Sequence, residues 1–145
     1  MEKLKVLFIC THNSARSQMA EGYLRAKYGD QYEACSAGTE ITSIHPEAVM
    51  VMQEIEIDIS NHKSKDIMDF YFNSFDIVFT VCEGAHAVCP VFPGAKERKH
   101  RGFVDPASTV GTPEEIRQSF RKARDEIIEW VDEKFGAMSS DLGYL

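Results

Sequence analysis

The sequence predicts an α/β fold built on a parallel sheet covered on both faces, and three observations predict it. Two near-continuous apolar runs, "KLKVLFIC" (3–10) and "FDIVFTVC" (75–82), read as strands buried on both sides. Segments of helical periodicity separate the strand-like segments, which is the alternation of βαβ units. Both apolar runs end on a cysteine, and in such sheets the ligand site lies at the carboxyl ends of the strands.

Each element follows in order. From Ala15 to Tyr28, Met19, Tyr23, Leu24 and Ala26 mark a helix that Gly29 closes. "YEACSAG" (32–38) reads as a second strand running into a glycine turn. A further helix begins near Pro46, a residue suited to a first turn, and carries Val49, Met52 and Ile55 inward. "IDISNHKSKDIMDFYF" passes from a short extended piece into another helix, before the strand at 75–82. Residues 83–111 are rich in proline and glycine, with room for a short strand near Arg101–Val104. Thr112-Pro-Glu-Glu115 is a capping box opening a last helix. Its apolar stripe runs Ile116, Phe120, Ala123, Ile127, Val131, Phe135. Residues 1–136 are expected to form a single α/β domain, with 137–145 expected as a frayed tail.

At 145 residues, the chain is long enough to bury a sizeable core. No apolar stretch approaches the roughly 18 residues that span a bilayer, and no secretory cleavage pattern follows the first strand. A cytoplasmic location is expected, with no membrane partner. A net charge of −7 without a basic stripe argues against nucleic acid. It would also repel an anionic substrate at long range, but salt screens that beyond about 8 Å. Four cysteines (10, 35, 82 and 89) in such a chain suggest catalysis or redox exchange rather than a structural framework. The C-x6-C spacing fits poorly with structural zinc. No metal or cofactor is expected.

"FICTHNSARS" (8–17) carries the most chemistry. A tight loop between a strand and a helix converges its backbone N–H groups on one point, where the helix dipole also favours negative charge. The Arg16 guanidinium adds a fork of donors matched to a tetrahedral oxyanion. A cysteine at the centre of such a loop is favoured as a thiolate at neutral pH, and a hydroxyl at Ser14 or Ser17 can stabilise the sulfur further. Residues Thr11, His12, Asn13, Ser14, Ala15, Arg16 and Ser17 are therefore the expected oxyanion-binding set around Cys10. The simpler possibility is a strand, a turn and a helix cap with an incidental buried thiol.

"VLFICTHNSARSQMAEG" resembles the nucleophile loop of the low-molecular-weight tyrosine phosphatase superfamily, and more closely that of the thioredoxin-coupled arsenate reductases built on the same fold. "CSAGTE" (35–40), "IDISNHKS" (57–64), the cysteines at 82 and 89, "GFVDPA" (102–107) and the last helix extend the resemblance over most of the chain. It implies a three-layer sandwich with a four-stranded parallel sheet flanked by helices. It also implies that Asp105 is the general acid, with Pro106 fixing its loop.

In both branches Cys10 attacks the central atom while Arg16 and the loop amides hold its oxygens. A phosphatase then hydrolyses the adduct with water. A reductase needs two electrons, which Cys82 and then Cys89 would supply by disulfide exchange, leaving a Cys82–Cys89 bond for thioredoxin; a glutaredoxin or a small thiol stays open as donor. Seven residue steps span roughly 10 Å as helix and about 23 Å as strand, whereas a disulfide needs Cα atoms within about 7 Å. Residues 83–88 must therefore bend or unwind. Related phosphatases carry aromatic residues after Asp-Pro; here Ala107 and Ser108 follow. Arsenate reduction by a monomer is the leading expectation. A phosphomonoester hydrolase, or a non-enzymatic oxyanion sensor or phosphocysteine carrier, is the alternative.

Departures from the related pattern are local. Cys35 stands where similar reductases often have tyrosine and is read as a core thiol, and Ala15 replaces a cysteine found in several relatives. His12 either adds a donor to the loop or fills space, while His62, His86 and His100 are too scattered for a metal site. Some relatives hold potassium beside the loop with groups matching Asn13, Glu21 and Ser36 plus a threonine and an aspartate. Lys63 and Lys65 occupy the last two positions, and the Lys63 ammonium is expected to pair with Glu21 in place of the cation.

Overall fold

The computed structural model describes residues 3–82 and 94–141. Four strands, β1 (Leu4–Cys10), β2 (Tyr32–Gly38), β3 (Phe75–Thr80) and β4 (Ala95–His100), form one sheet in the order β2-β1-β3-β4. Every neighbouring pair is parallel, so none of the pairs is closed by a hairpin turn. Helices α1 (Arg16–Tyr28), α2 (Pro46–Gln53) and α3 (Pro113–Asp141) flank it.

Alternation along β1 divides the core. Val6, Phe8 and Cys10 join Ile77 and Phe79 under residues of all three helices. Leu7 and Ile9 point the other way, with Val78, Phe75 and Ile67. Ile67 belongs to a single 3₁₀ turn, Ile67–Phe70, where the sequence predicts a longer helix. Asp66 caps that turn through the Met68 amide, and the 3₁₀ segment ends at Phe70. The larger core is aromatic where α3 crosses the sheet: Phe79 meets Trp130 edge-on at 5.0 Å, and Tyr32 meets Phe135 at 5.1 Å.

α3 starts as its capping box requires. The Glu115 amide donates to Thr112 Oγ1 at 3.2 Å, and the Thr112 amide to Glu115 Oε1 at 3.3 Å. The helix runs on through Gly136 to Asp141, beyond the predicted end. One glycine costs about 1 kcal/mol against alanine, and Ala137 and Met138 are strong helix formers. In α2 the buried residues are Ala48, Val51 and Met52, with Val49 only partly covered; Ile55, also partly covered, falls in the turn after the helix.

β4 corrects the prediction of a strand near Arg101–Val104. It lies at Ala95–His100, pairing Phe75 with Ala95 through Thr80 with His100. As an edge strand exposed along nearly its whole length, "AKERKH" carries neither an apolar run nor an alternation. No helix among the described residues is long and apolar enough to cross a membrane.

Candidate active site

The chain leaves β1 at Cys10 and enters α1 at Arg16, and the intervening carbonyls are all tied outward. The Glu40 amide donates to the Thr11 carbonyl at 2.8 Å, the Thr42 amide to that of His12 at 3.3 Å, and the His45 amide to that of Ser14 at 2.9 Å. The Asn13 carbonyl accepts from Ser64 Oγ at 2.8 Å and Gln18 Nε2 at 3.2 Å. In a planar trans peptide the N–H points opposite to the C=O. Fixing four successive carbonyls outward therefore turns the amides of residues 12 to 15 inward, toward the sulfur side of the loop. The Asn13 amide shows the result, reaching Cys10 Sγ at 3.2 Å. α1 adds to this, because its N-cap is Ala15 and no side chain caps it.

Two local features permit this path. Asn13 has φ of 50°, a left-handed conformation that asparagine tolerates better than most residues. Gly38, at the end of β2, lets the loop pass close by. A Cβ there would stand 2.7 Å from the Thr11 carbonyl oxygen and 2.9 Å from the Asn13 nitrogen.

Cys10 is buried, with Ser17 Oγ 2.7 Å from its sulfur. Arg16 is 6% exposed; its Nη1 donates to the Phe103 carbonyl at 3.1 Å, and Nη2 lies 3.6 Å from Asp105 Oδ2. Asp105 caps the 3₁₀ turn Pro106–Ser108, its Oδ1 accepting the Ala107 amide at 3.0 Å. One carboxylate oxygen is thus held by the turn and the other faces the guanidinium. The structure sets Arg16 beside Asp105, 89 residues further along the chain (16 to 105), with Cys10 at the other end of the loop that Arg16 closes.

Cys82 sits two residues past the end of β3. The β1–β3 register pairs Ile9 with Thr80, and the Val81 amide donates to the Ile9 carbonyl at 2.8 Å. Cys10 and Cys82 therefore leave the carboxyl ends of adjacent strands, about 4.8 Å apart in a sheet. Both are buried. Cys89, and the bend predicted for residues 83–88 with His86, lie outside the described residues. Cys35 is a partly buried thiol on β2. Burial, and then the charge of Glu21, push its thiol up, the reverse of a reactive cysteine.

His12 turns away from the sulfur to Glu40, its Nδ1 2.7 Å from that carbonyl, and so fastens the loop. His100 bonds Thr80 Oγ1 at 2.7 Å. His45, not singled out in the sequence, caps α2 by accepting the Glu47 amide. No group of three or more metal-ligating side chains occurs among the described residues.

The lysine assignment beside Glu21 is corrected. Lys65, not Lys63, points its ammonium at Glu21 Oε1 (3.3 Å), and also reaches Ser36 Oγ (3.5 Å) and the Lys63 carbonyl (3.1 Å). Lys63 contributes that carbonyl, which also accepts from Gln18 Nε2 at 2.9 Å. Ser36 Oγ donates to Glu21 at 2.6 Å and Arg25 pairs with it at 2.9 Å. The segment 40–45, with Ser64 and Gln18, was not legible as part of the site. Most of its contacts are backbone bonds, which leave no mark on residue choice.

Residues 5–135 match the family described as low molecular weight phosphotyrosine protein phosphatase. The arsenate reductase of Halalkalibacterium halodurans is 47% identical over 127 residues, covering 88% of this chain and 91% of the relative. That of Bacillus subtilis is 45% identical with the same coverage. A solved arsenate reductase in a phosphate-binding state superposes with a TM-score of 0.79 at 29% identity, over 92% of this chain and 98% of the other. The thioredoxin-dependent arsenate reductase of Corynebacterium glutamicum gives 0.65 at 28%, over 90% of this chain and 61% of that one. With residues 5–135 of its 145 matched, this chain belongs to the low molecular weight phosphotyrosine protein phosphatase family.

Proposed function

We propose that this protein reduces arsenate to arsenite, with Cys10 as nucleophile. The observation that carries the reading is the pair of buried cysteines at the ends of adjacent parallel strands, one of them inside an oxyanion loop. The Cys10 thiolate attacks arsenic, Arg16 and the inward amides hold the remaining oxygens, and Asp105 protonates the departing oxygen, which leaves as water. The product is a sulfur–arsenic(V) bond. The Cys82 thiolate then attacks the Cys10 sulfur. That sulfur–arsenic bond breaks with its electron pair going to arsenic, which leaves as arsenite. Two thiols have become one Cys10–Cys82 disulfide, and arsenic has gained two electrons.

Cys89 next attacks Cys82 and frees Cys10, and an external dithiol reduces the Cys82–Cys89 bond. Thioredoxin is the proposed donor, as the name of the Corynebacterium glutamicum relative suggests. The protein acts as a cytoplasmic monomer in this reading. Ala107 and Ser108 offer no ring on which a phosphotyrosine could stack, which favours arsenate over a phosphatase substrate.

The test is an arsenate assay with thioredoxin, thioredoxin reductase and NADPH, run beside hydrolysis of a phosphotyrosine mimic. Arsenate-dependent NADPH oxidation that needs thioredoxin is the expected result. Rapid ester hydrolysis without NADPH oxidation would make the chain a phosphatase, and binding of oxyanion with neither reaction would make it a sensor or carrier.

A further inference from the structure

Gln18 is completely buried and belongs to the first turn of α1. It connects the nucleophile loop to the 62–65 segment, and the direction of each of its hydrogen bonds can be derived from groups that cannot reverse. Its Nε2 faces the carbonyls of Lys63 (2.9 Å) and Asn13 (3.2 Å), which only accept, so this atom is the amide nitrogen. Its Oε1 is then an acceptor, and His62 Nδ1, 3.0 Å away, carries the proton. Arg25 Nη1, which only donates, stands 3.3 Å from His62 Nε2. The imidazole is therefore neutral, with its hydrogen on Nδ1. Burial lowers the His62 proton affinity, Glu21 and Asp58 raise it, and Arg25 and Lys65 lower it, with burial dominant.

The same reasoning carries on toward Cys10. The Lys65 backbone amide donates to Asn13 Oδ1 at 2.8 Å, and Gln18 Nε2 donates to it at 2.9 Å, one of its two hydrogens being shared between this oxygen and the Asn13 carbonyl while the other serves Lys63. Asn13 Nδ2 is thereby committed as the donor to Ser17 Oγ at 2.7 Å. Ser17 has one hydrogen; its oxygen receives from Asn13, and opposite a Cys10 thiolate, which has no hydrogen to give, that hydrogen is the one lying between Ser17 Oγ and Cys10 Sγ at 2.7 Å. A single sense of donation thus runs Arg25, His62, Gln18, Asn13, Ser17, Cys10, and it ends with an O–H aimed at sulfur.

We propose that Gln18, clamped by His62, is a positioning residue that fixes the polarity of this chain, so that Ser17 donates to the Cys10 thiolate rather than accepting from a thiol. Gln18 does this from two sides, holding the Asn13 carbonyl and side chain directly and holding Lys63 so that the Lys65 amide reaches Asn13. The proposal rests on Cys10 being the nucleophile but not on arsenate being the substrate.

The experiment reads alkylation of Cys10 by iodoacetamide against pH, followed by mass spectrometry of the Cys10 peptide, which needs no turnover. Gln18→Met should move the half-maximal pH upward by about one unit, a tenfold loss of thiolate at limiting pH. His62→Ala, at the more accessible end, should move it in the same direction by less. Ser17→Ala alone should produce the full shift, and Gln18→Met added to Ser17→Ala should then change nothing further. Gln18→Glu, which keeps the shape but offers only acceptors, should not rescue. The proposal is overturned if Gln18→Met leaves the profile in place, or if it shifts the profile equally with and without Ser17, as general loosening of the loop would. Should Gln18→Met fail to fold, the pair His62→Ala with and without Ser17→Ala decides by the same criterion. The predicted shifts in the alkylation profiles together with no arsenate turnover would instead count against the proposed function alone.

Discussion

Two carboxylates in this protein each gather several cations, and they do different work. Glu21, on α1 behind the nucleophile loop, is 3% exposed at its side chain and holds Ser36, Arg25 and Lys65, with His62 Nδ1 at 3.5 Å. Glu54, at the end of α2, is 36% exposed and meets Arg121 at 2.6 Å and Arg124 at 2.7 Å across the seam with α3. The partner counts are similar. Solvent separates the cases, because an exposed pair is screened and free to reorganise, whereas a buried charge that loses a partner cannot turn to water. The Glu21 side of the molecule is therefore over-determined and holds the loop's geometry. The Glu54 side is a surface clasp that can open with little consequence.

That contrast can be broken or sharpened by substitution. The largest effect is expected at the loop's chemical edge: Asp105→Asn should lower kcat by about 10²- to 10³-fold without a change in melting temperature, measured by steady-state kinetics beside thermal unfolding. Gly38→Ala should follow, because its Cβ would press on the Thr11 carbonyl and the Asn13 amide. A loss of about 1–3 kcal/mol in denaturant unfolding, with at least a tenfold loss of rate, is expected from that overpacking. Lys65→Met should cost about 1–2 kcal/mol by taking a partner from buried Glu21. In the unaltered protein the Lys65 ammonium already serves this carboxylate, so exchanging sodium for potassium at equal ionic strength should leave the rate unchanged. A clear rise with potassium would remove Lys65 from that role.

The smallest effect belongs to the clasp. Hydrogen bonds from Arg121 chiefly, and Arg124, hold the Glu54 carboxyl down at about 2, against an ordinary 4.5. A carboxylate lowered on folding contributes stability above its unfolded value, and that contribution fades as pH falls toward the folded one. Glu54→Gln should thus cost under about 1 kcal/mol at pH 7, the difference vanishing near pH 2, with kcat unchanged throughout. A rate loss here as large as that at Gly38 would erase the distinction between the two regions.

What could be read from residues alone follows the same division. β1, β3 and α3 were legible because burial on both faces, or a capping box with a stripe, leaves a pattern in side-chain choice. β4 was misplaced because an edge strand exposed on both faces has no such pattern. Cys10 and Arg16 stand out in the sequence because an oxyanion loop calls for those residue types, while Asp105 was pointed to by the family resemblance alone, and the structure sets it beside Arg16. The strap from Glu40 to His45 was not, because it holds the loop through backbone amides that any residue supplies. Lys63 and Lys65 differ by two positions, and only the path of the backbone, which turns the Lys63 carbonyl inward, decides which ammonium meets Glu21.

The central claim is that arsenic receives its electrons from Cys10 and Cys82 together. A Cys89→Ser variant, reduced and mixed with one equivalent of arsenate, isolates that step from regeneration. The account predicts one equivalent of arsenite, with Cys10 and Cys82 recovered as a single disulfide-linked peptide pair in mass spectrometry. Arsenite formed without that linkage, or sustained turnover by the variant at the unaltered rate, would contradict it.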